Sequence, residues 1–445
     1  MSNEKVVEAK KPGIWPTWPR VPAWCWHITI SNWLVWLFGA FDWTVVLVLG
    51  PVIIDEWALS APRWTLMLAF FYWIRGAFGI PGAVISDKIG PGYKRRYTWG
   101  IAAVTYSFLS LLTAFKSISL TIMRFFWLRL GVQAGGGVEE TVRVAVISEA
   151  WPDEHRGFAL GLSHTGFPVG SLFAGLVASW VLMTYGSVNW RYVFFFTLLT
   201  FPPFIIYYLL SNKKGYERAY AEFDRRGLTK PSFGETEKGE KGISLVLRTL
   251  KIRNVQSVAI NQSIFLSVWT MFMSYFPKYL VEIRGFNYAQ VARLVVMWTF
   301  TGALFQFLLP WWSDRLGRKR ILTFAALWMG LIMLCLPFTT TLLLVILVQV
   351  AYGFVLNAVY PMLYGMAAES SEKGAVATAI SIPAFSALFF CGLFPLVVSP
   401  LIGVFGGWGV ARGYIWIFYI MAALCFIAAA VQHWRTTETA ILAKK

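Results

Sequence analysis

Asp42, Arg75, Glu139, Glu140 and Arg143 are ionisable side chains that fall inside long apolar stretches of this 445-residue chain. If those stretches lie in hydrocarbon, each charge costs roughly 2.5 to 3.5 kcal/mol at the centre of a helix, so each needs a reason to be there. The types suggest two kinds of chemistry. A guanidinium presents a planar fork that matches a carboxylate through two parallel hydrogen bonds, which makes Arg75 an anchor for an organic anion. A carboxyl group takes up or releases a proton when its surroundings alternate between wet and dry, or between paired and unpaired, and Asp42 and Glu139 suit that work. Glu139 and Arg143 are four residues apart and Glu140 and Arg143 three, so either glutamate can meet the arginine on one helix face. Which of the adjacent pair faces a cavity stays open, and Glu140 is the second candidate for proton coupling. Arg75 itself either binds substrate or forms a permanent pair with Asp42 from the neighbouring segment. His164 either relays protons or is a buried histidine bonded to a helix neighbour.

The elements that must position these groups are membrane helices. The chain is 57% hydrophobic and 14% charged, with 36 Phe and 23 Trp, and its mean hydropathy is +0.59. That leaves too little polar surface for a soluble protein of this size. Apolar runs near the ~20 residues needed to cross a bilayer recur along the chain. The spacing predicts twelve spans, from Ser31 to Ile54 at the start to Tyr414 to Val431 at the end, with six before the polar stretch Ser211 to Arg253 and six after. This gives an all-α membrane protein of five parts. Residues 1–30 form a tail with interfacial Trp15, Trp18, Trp24 and Trp26, and residues 31–210 a six-helix bundle. Residues 211–256 form a linker, residues 257–431 a second six-helix bundle, and residues 432–445 a closing tail. Met1 to Pro22 is polar and is not expected to be a cleaved signal.

The net charge of +17 does not point to nucleic acid, because the Lys and Arg residues cluster in alternate connections. That placement puts both termini and the linker in the cytoplasm. The linker mixes Lys213, Lys214, Arg225 and Arg226 with Glu217, Glu222 and Asp224 and reads as a solvated connection. Cys25, Cys335, Cys391 and Cys425 have no metal-like spacing, there are only 4 His, and no Gly-Lys-Ser/Thr phosphate loop is present. Neither a metal, a cofactor nor enzymatic chemistry is expected. The second half offers neutral polar groups, of which Gln262, Asn357 and Tyr360 are expected to orient a ligand without the cost of another buried charge. Asn261, Gln306, Gln349, Tyr352 and Tyr364 are equally compatible with helix packing. Arg293 lies nearer a helix end, where it can snorkel.

Two basic loops lie half a chain apart. Ser86-Asp87-Lys88-Ile89-Gly90 runs into Lys94-Arg95-Arg96, and Ser313-Asp314-Arg315-Leu316-Gly317 runs into Arg318-Lys319-Arg320. The two Asp residues are 314 − 87 = 227 positions apart, close to half of 445, which implies duplication. These loops resemble the signature of the major facilitator superfamily, and the resemblance covers nearly the whole chain. Arg129 to Gly137 is similar to the family's Arg-led, Gly-rich fourth helix, and Glu149-Ala-Trp-Pro152 to Arg156-Gly157 is similar to the loop that follows it. Glu139 and that loop are most similar to the metabolite:proton symporters of lactate, sialic acid and other organic acids. Gly39 to Asp42 resembles the start of those carriers and of aromatic-acid carriers, many of which have an Asp where Gly39 stands. The resemblance implies two pseudo-symmetric bundles around a central cavity, with the loop Asp clamping one end. Asp87, Gly90, Arg95, Asp314, Gly317 and Arg318 are then gating residues, with Arg143 and Arg156 as partners for the clamp.

Taken together, these residues imply a secondary carrier in the bacterial inner membrane that moves a small organic carboxylate with protons and works as a monomer. The competing readings are an anion exchanger and a carrier of neutral solutes such as sugars. A non-transporting receptor would need a large signalling extension, which the short tails do not supply.

Overall fold

The computed structural model describes residues 19–90, 92–152, 156–228, 247–370 and 376–439, with the side chains of Asp87, Arg156 and Asp314 left outside. Trp15 and Trp18 also lie outside the described residues. The described chain contains helices and no strands, as a chain with no water to satisfy backbone groups must.

Twelve spans follow in chain order among the described residues. The first is Ala23–Val48 with the short continuation Gly50–Glu56. The second is Ala61–Ile89, the third Arg95–Thr113 and the fourth Ile122–Ala150. The fifth is broken into Arg156–His164 and Gly166–Tyr185. The sixth begins as a tighter helix, Ser187–Thr200, and continues as Phe201–Leu210. The seventh is Arg253–Glu282, and the eighth comprises Tyr288–Leu294 and Trp298–Leu316. The ninth is Arg318–Cys335. The tenth comprises Leu342–Leu356 and Val359–Glu369, the eleventh Val376–Val398 and Pro400–Val404, and the twelfth Ala411–Ala430 closed by Val431–Arg435.

Within the first half, the second and third spans pack on the fourth and the first packs on the fifth. In the second half the seventh packs on the eleventh, the eighth on the tenth and the ninth on the twelfth. The halves meet along two seams, the second span against the eleventh and the fifth against the eighth. Large apolar side chains such as Ile101, Trp127, Leu343 and Val404 point outward and are exposed, which is the surface a bilayer covers.

Two boundaries differ from the sequence reading. The first helix starts at Ala23, so Trp24 and Trp26 belong to it and pack inward. The Trp24 ring lies 4.6 Å from that of Tyr216 and the Trp26 ring 5.1 Å from that of Trp151. The linker is not wholly a solvated connection, because Lys213–Arg226 is a helix. Its apolar residues Tyr216, Ala219, Tyr220 and Phe223 recur at helical spacing and give it a face to bury despite its charge. Tyr216, Ala219 and Phe223 are buried, and the Tyr220 hydroxyl donates to the Glu149 carbonyl at 3.0 Å. Asn212 caps its start by accepting from the Gly215 N–H at 2.8 Å, and Gly227 ends it at φ 66°.

Candidate functional site

Arg75 lies on the second span at the height of the triple glycine of the fourth. A Cβ on Gly137 would fall 2.2 Å from the Arg75 carbonyl oxygen, and one on Gly136 2.5 Å from Arg75 Nη1. The absence of side chains there lets the two helices touch. The guanidinium is buried, and each of its three nitrogens has a partner. Arg75 Nε donates to Glu140 Oε2 at 2.9 Å, Nη2 lies 2.9 Å from the same oxygen, and Nη1 donates to Gln133 Oε1 at 3.2 Å. Its flat face lies 3.9 Å from the centre of the Trp43 ring, a stack that further stabilises the cation. The two partners differ in access: the Arg75 side chain is 6% exposed and that of Glu140 is 40% exposed.

Asp42 is held elsewhere. Arg129 donates Nη1 to Asp42 Oδ1 at 3.1 Å and Nη2 to Oδ2 at 2.7 Å, with a further bond from Nη2 to the Asp42 carbonyl at 3.1 Å. Ser110 donates to Asp42 Oδ1 and accepts from Arg129 Nη1 at 3.1 Å. Both ions of this pair are buried, so first, third and fourth spans are tied together by a charge-assisted cluster, in which Arg129 Nε alone of the guanidinium nitrogens has no partner among the described residues. The pairing of Arg75 with Asp42 that the sequence left open is therefore not the one formed.

Glu139 points the other way from its neighbour. Its Oε1 accepts from Trp99 Nε1 at 3.0 Å and lies 3.9 Å from Arg143 Nε. Arg143 is buried among the first, fourth and fifth spans. It donates to Ser163 Oγ at 2.9 Å, and its guanidinium lies 4.1 Å from the Trp36 ring centre. Asp42, Arg75 and Glu139 line one small chamber with Trp43, Gly39 and Tyr106. His164 ends the first piece of the fifth span, just before its break, and is half-buried.

Among the described residues, those of the second half at this site are neutral polar groups. Gln262 donates Nε2 to the Tyr364 hydroxyl at 2.9 Å, and its Oε1 is buried without a partner. Asn357 Nδ2, both amide atoms of Gln349 and the Tyr352 hydroxyl are buried without a hydrogen-bond partner among the described residues. Tyr360 is half-buried. Asn261 instead donates to Gln432 Oε1 at 2.6 Å and joins the seventh span to the twelfth.

The basic loops turn at Gly90 and Gly317, with φ 115° and φ 101°, where only glycine is unstrained. Arg95 pairs with Glu149 at the end of the fourth span at 2.6 Å and donates to Ser86 at 3.0 Å, while the Gly92 N–H donates to the same glutamate at 2.7 Å. Arg318 pairs with Glu369 at the end of the tenth span at 2.7 Å. Each of these clamps stays within its own half. Asp87, Arg156 and Asp314 carry no description of their side chains.

At the opposite end the halves are bridged directly. Asp55, in the short continuation of the first span, accepts from Lys278 of the seventh and from the Tyr288 hydroxyl at the start of the eighth. Lys278 also pairs with Glu282 at 2.7 Å. The adjacent Glu56 turns into its own half, taking Arg191 at 2.8 and 3.0 Å. Trp408 Nε1 donates to the Leu59 carbonyl at 3.0 Å across the same end.

Sequence reasoning did not assign Arg129 or Gln133 to the charged cluster, nor Glu149 and Glu369 to the loops. Arg129 was visible as the head of the Gly-rich segment, but its partner is 87 residues away, beyond any local spacing rule. Lys278 and Asp55 sit near helix ends, where ordinary snorkelling explains a charge as well as an ion pair does.

Residues 33–299 and 258–441 match the model of the Major Facilitator Superfamily, overlapping matches that together span the two halves. A "probable sulfoacetate transporter" of Cupriavidus necator is 24% identical over 321 residues, covering 69% of this chain and 71% of the relative. A hexuronate transporter of Bacillus subtilis is 24% identical over 266 residues, covering 59% of this chain and 58% of that protein's length. Among solved structures, a D-xylose-proton symporter superposes with a TM-score of 0.71 at 16% identity, over 94% of this chain and 99% of the other.

Proposed function

The chain belongs to the Major Facilitator Superfamily, hence is a multi-pass membrane transporter and not an enzyme, and on that premise we propose that it carries a small organic carboxylate together with protons. The observation that carries this reading is the unequal pair of Arg75 and Glu140. Arg75 is sequestered and Glu140 is 40% exposed, so the glutamate can swing away at little cost while the arginine cannot. A substrate carboxylate offers the guanidinium fork the same oxygens and takes the place of Glu140. The displaced carboxylate then binds a proton.

Charge balance is the reason the two loads travel together. The resting site holds one cation and one anion. With substrate bound and Glu140 protonated it again holds one of each, whereas substrate without the proton leaves a net negative charge in a medium where that is costly. One carboxylate and one proton therefore cross as a neutral unit. In this scheme Asp42 neutralises Arg129, and Glu139, with Tyr106 beside it in the chamber, is the inner relay. Gln262, Asn357 and Tyr360 orient the substrate's remaining groups.

The relatives named above for sulfoacetate and hexuronate have anionic carboxylates as their named cargo, which agrees with this class. The alternate placement of Lys and Arg supports cytoplasmic termini in a bacterial inner membrane. In the transport cycle, the Asp55 bridge at one end and the loops around Gly90, Arg95, Gly317 and Arg318 at the other open in turn as one bundle rocks against the other.

The test is uptake into proteoliposomes of a panel of radiolabelled carboxylates and sugars, with and without an inward proton gradient. Arg75→Gln is expected to lower carboxylate affinity at least about 30-fold, the lower end of the 2–5 kcal/mol expected for one partner of a buried charged contact. Unchanged affinity in that variant removes Arg75 from the site. Uptake indifferent to the proton gradient but stimulated by internal substrate replaces symport with exchange.

A further inference from the structure

The flank where the fifth span meets the eighth holds a crevice of about 390 Å³ near the Asp55 end. Met183 and Ser187 line it from the first half, and Tyr288, Gln290 and Arg293 from the second. The crevice opens on the apolar outer surface of the fifth span, where the lining Met183 is 63% exposed and Trp180, three residues before it, 47%. Arg293 is exposed and lies six residues beyond the capping Asn287, about 9 Å into the helix at 1.5 Å per residue. Gln290 precedes it by three residues and so shares its face.

The carboxylates that could neutralise Arg293 from this end are engaged. Asp55 is held by Lys278 and Tyr288, Glu282 by Lys278 and Glu56 by Arg191. Among the described residues Arg293 has no ion pair. An exposed, unpaired guanidinium this near a helix end, beside exposed apolar side chains, can snorkel to headgroup level and meet an anion from outside the chain there.

We propose that the crevice holds the headgroup of an anionic phospholipid from the adjoining leaflet, with its phosphate on Arg293 and Gln290 and an acyl chain along Met183. The fork of an arginine suits a phosphate through paired hydrogen bonds, and a bilayer supplies that group at this level. Both halves line the crevice, so the site is complete only while the fifth and eighth spans meet, and Tyr288 links it to the Asp55 bridge. The inference does not depend on what the protein transports.

Delipidated protein in detergent is titrated with phosphatidylglycerol, followed by thermal unfolding and by native mass spectrometry of retained lipid. Phosphatidylglycerol is expected to raise Tm and to remain bound, as a ligand of the native state must, and phosphatidylcholine is expected to do so far less. Arg293→Ala and Arg293→Gln should lose the increment and the retained lipid, while Arg412→Ala, an exposed arginine outside the crevice, keeps both. The proposal is overturned if the Arg293 variants keep the full increment, if phosphatidylcholine protects equally, or if inorganic phosphate alone reproduces the effect.

Discussion

In the first half Arg75 of the second span lies against Gly136 and Gly137 of the fourth, whereas its counterpart in the second half is a glycine. Gly302 follows Arg75 by 302 − 75 = 227 positions, the same offset as the loop aspartates, and a Cβ on it would lie 3.1 Å from Asn357 Nδ2 of the tenth span. Large-against-small packing is thus kept between the duplicated helices while its direction is reversed. A second offset tells the same story. Glu149 and Glu369, which hold the two basic loops, are 369 − 149 = 220 positions apart, and Arg129 and Gln349 have that spacing as well. Arg129 binds Asp42 through both terminal nitrogens, but Gln349 is buried with neither amide atom partnered among the described residues. One copy has concentrated the ionic chemistry and the other retains neutral groups with unused hydrogen-bonding capacity. An asymmetric division of that kind lets one half hold the charge while the other adapts to the remainder of a cargo.

The largest effect that tests this contrast comes from the matched pair Arg129→Leu and Gln349→Leu. The first leaves Asp42 buried without its counter-ion and is expected to cost about 3–5 kcal/mol. The second removes an amide that bonds to nothing among the described residues, and is expected to change stability by less than about 1 kcal/mol. Thermal unfolding of both variants in one detergent decides it. Equal losses would mean that volume, and not charge, distinguishes the two positions.

Next in size is the separation of the adjacent glutamates. Glu140→Gln should keep substrate exchange but flatten the pH dependence of accumulation, since an amide cannot take up the displaced proton. Glu139→Gln, whose partners are Trp99 and Arg143, removes the relay but not the coupling carboxylate, so it should slow proton-driven uptake while leaving the final pH-dependent accumulation unchanged. If Glu140→Gln accumulates substrate with the wild-type pH profile, the coupling carboxylate lies elsewhere.

How far the sequence could show this division depends on the range of each interaction. The twelve spans and the paired loops were legible because hydrophobic runs and glycine turns are local patterns. Buried ionic residues were legible as costly exceptions in the apolar helices. Their pairing was not, because Arg75 meets Glu140 across 65 positions and Arg129 meets Asp42 across 87, and nothing in a spacing of that length says which carboxylate an arginine chooses. The choice comes from Gly136 and Gly137, which bring the second span close to the fourth and thereby put Arg75 beside Glu140. The docked helix Lys213–Arg226 escaped for the opposite reason: its charge content outweighed the four apolar positions that bury one face.

The bridge at the Asp55 end offers a smaller, conformational effect. Lys278→Met removes the cation that reaches both Asp55 and Glu282, and because Asp55 is 38% exposed it can rehydrate when released. Little stability should be lost, but the closed state at that end loses an interaction between halves. A cysteine placed at Ser187 should then react faster with a membrane-impermeant maleimide, and unchanged labelling would show that Trp408 and the apolar seam alone keep that end shut.

A last pair of variants sharpens the reversal of large and small residues, and its second member carries the smallest expected effect. Gly137→Ala drives a methyl group to 2.2 Å from the backbone oxygen of Arg75, which only a separation of the second and fourth helices can relieve, so both carboxylate affinity and stability should fall. Gly302→Ala meets a side-chain amide at 3.1 Å, and Asn357 can turn to make room, so the expected loss is about 1 kcal/mol or less. The functional readout is more informative than the stability. If Asn357 contacts the cargo, turning it should change the ranking of carboxylates in a competition assay while leaving the proton requirement intact. A Gly302→Ala protein that loses proton coupling instead would place part of the ionic machinery in the second half, and the division of labour between the copies would have to be redrawn.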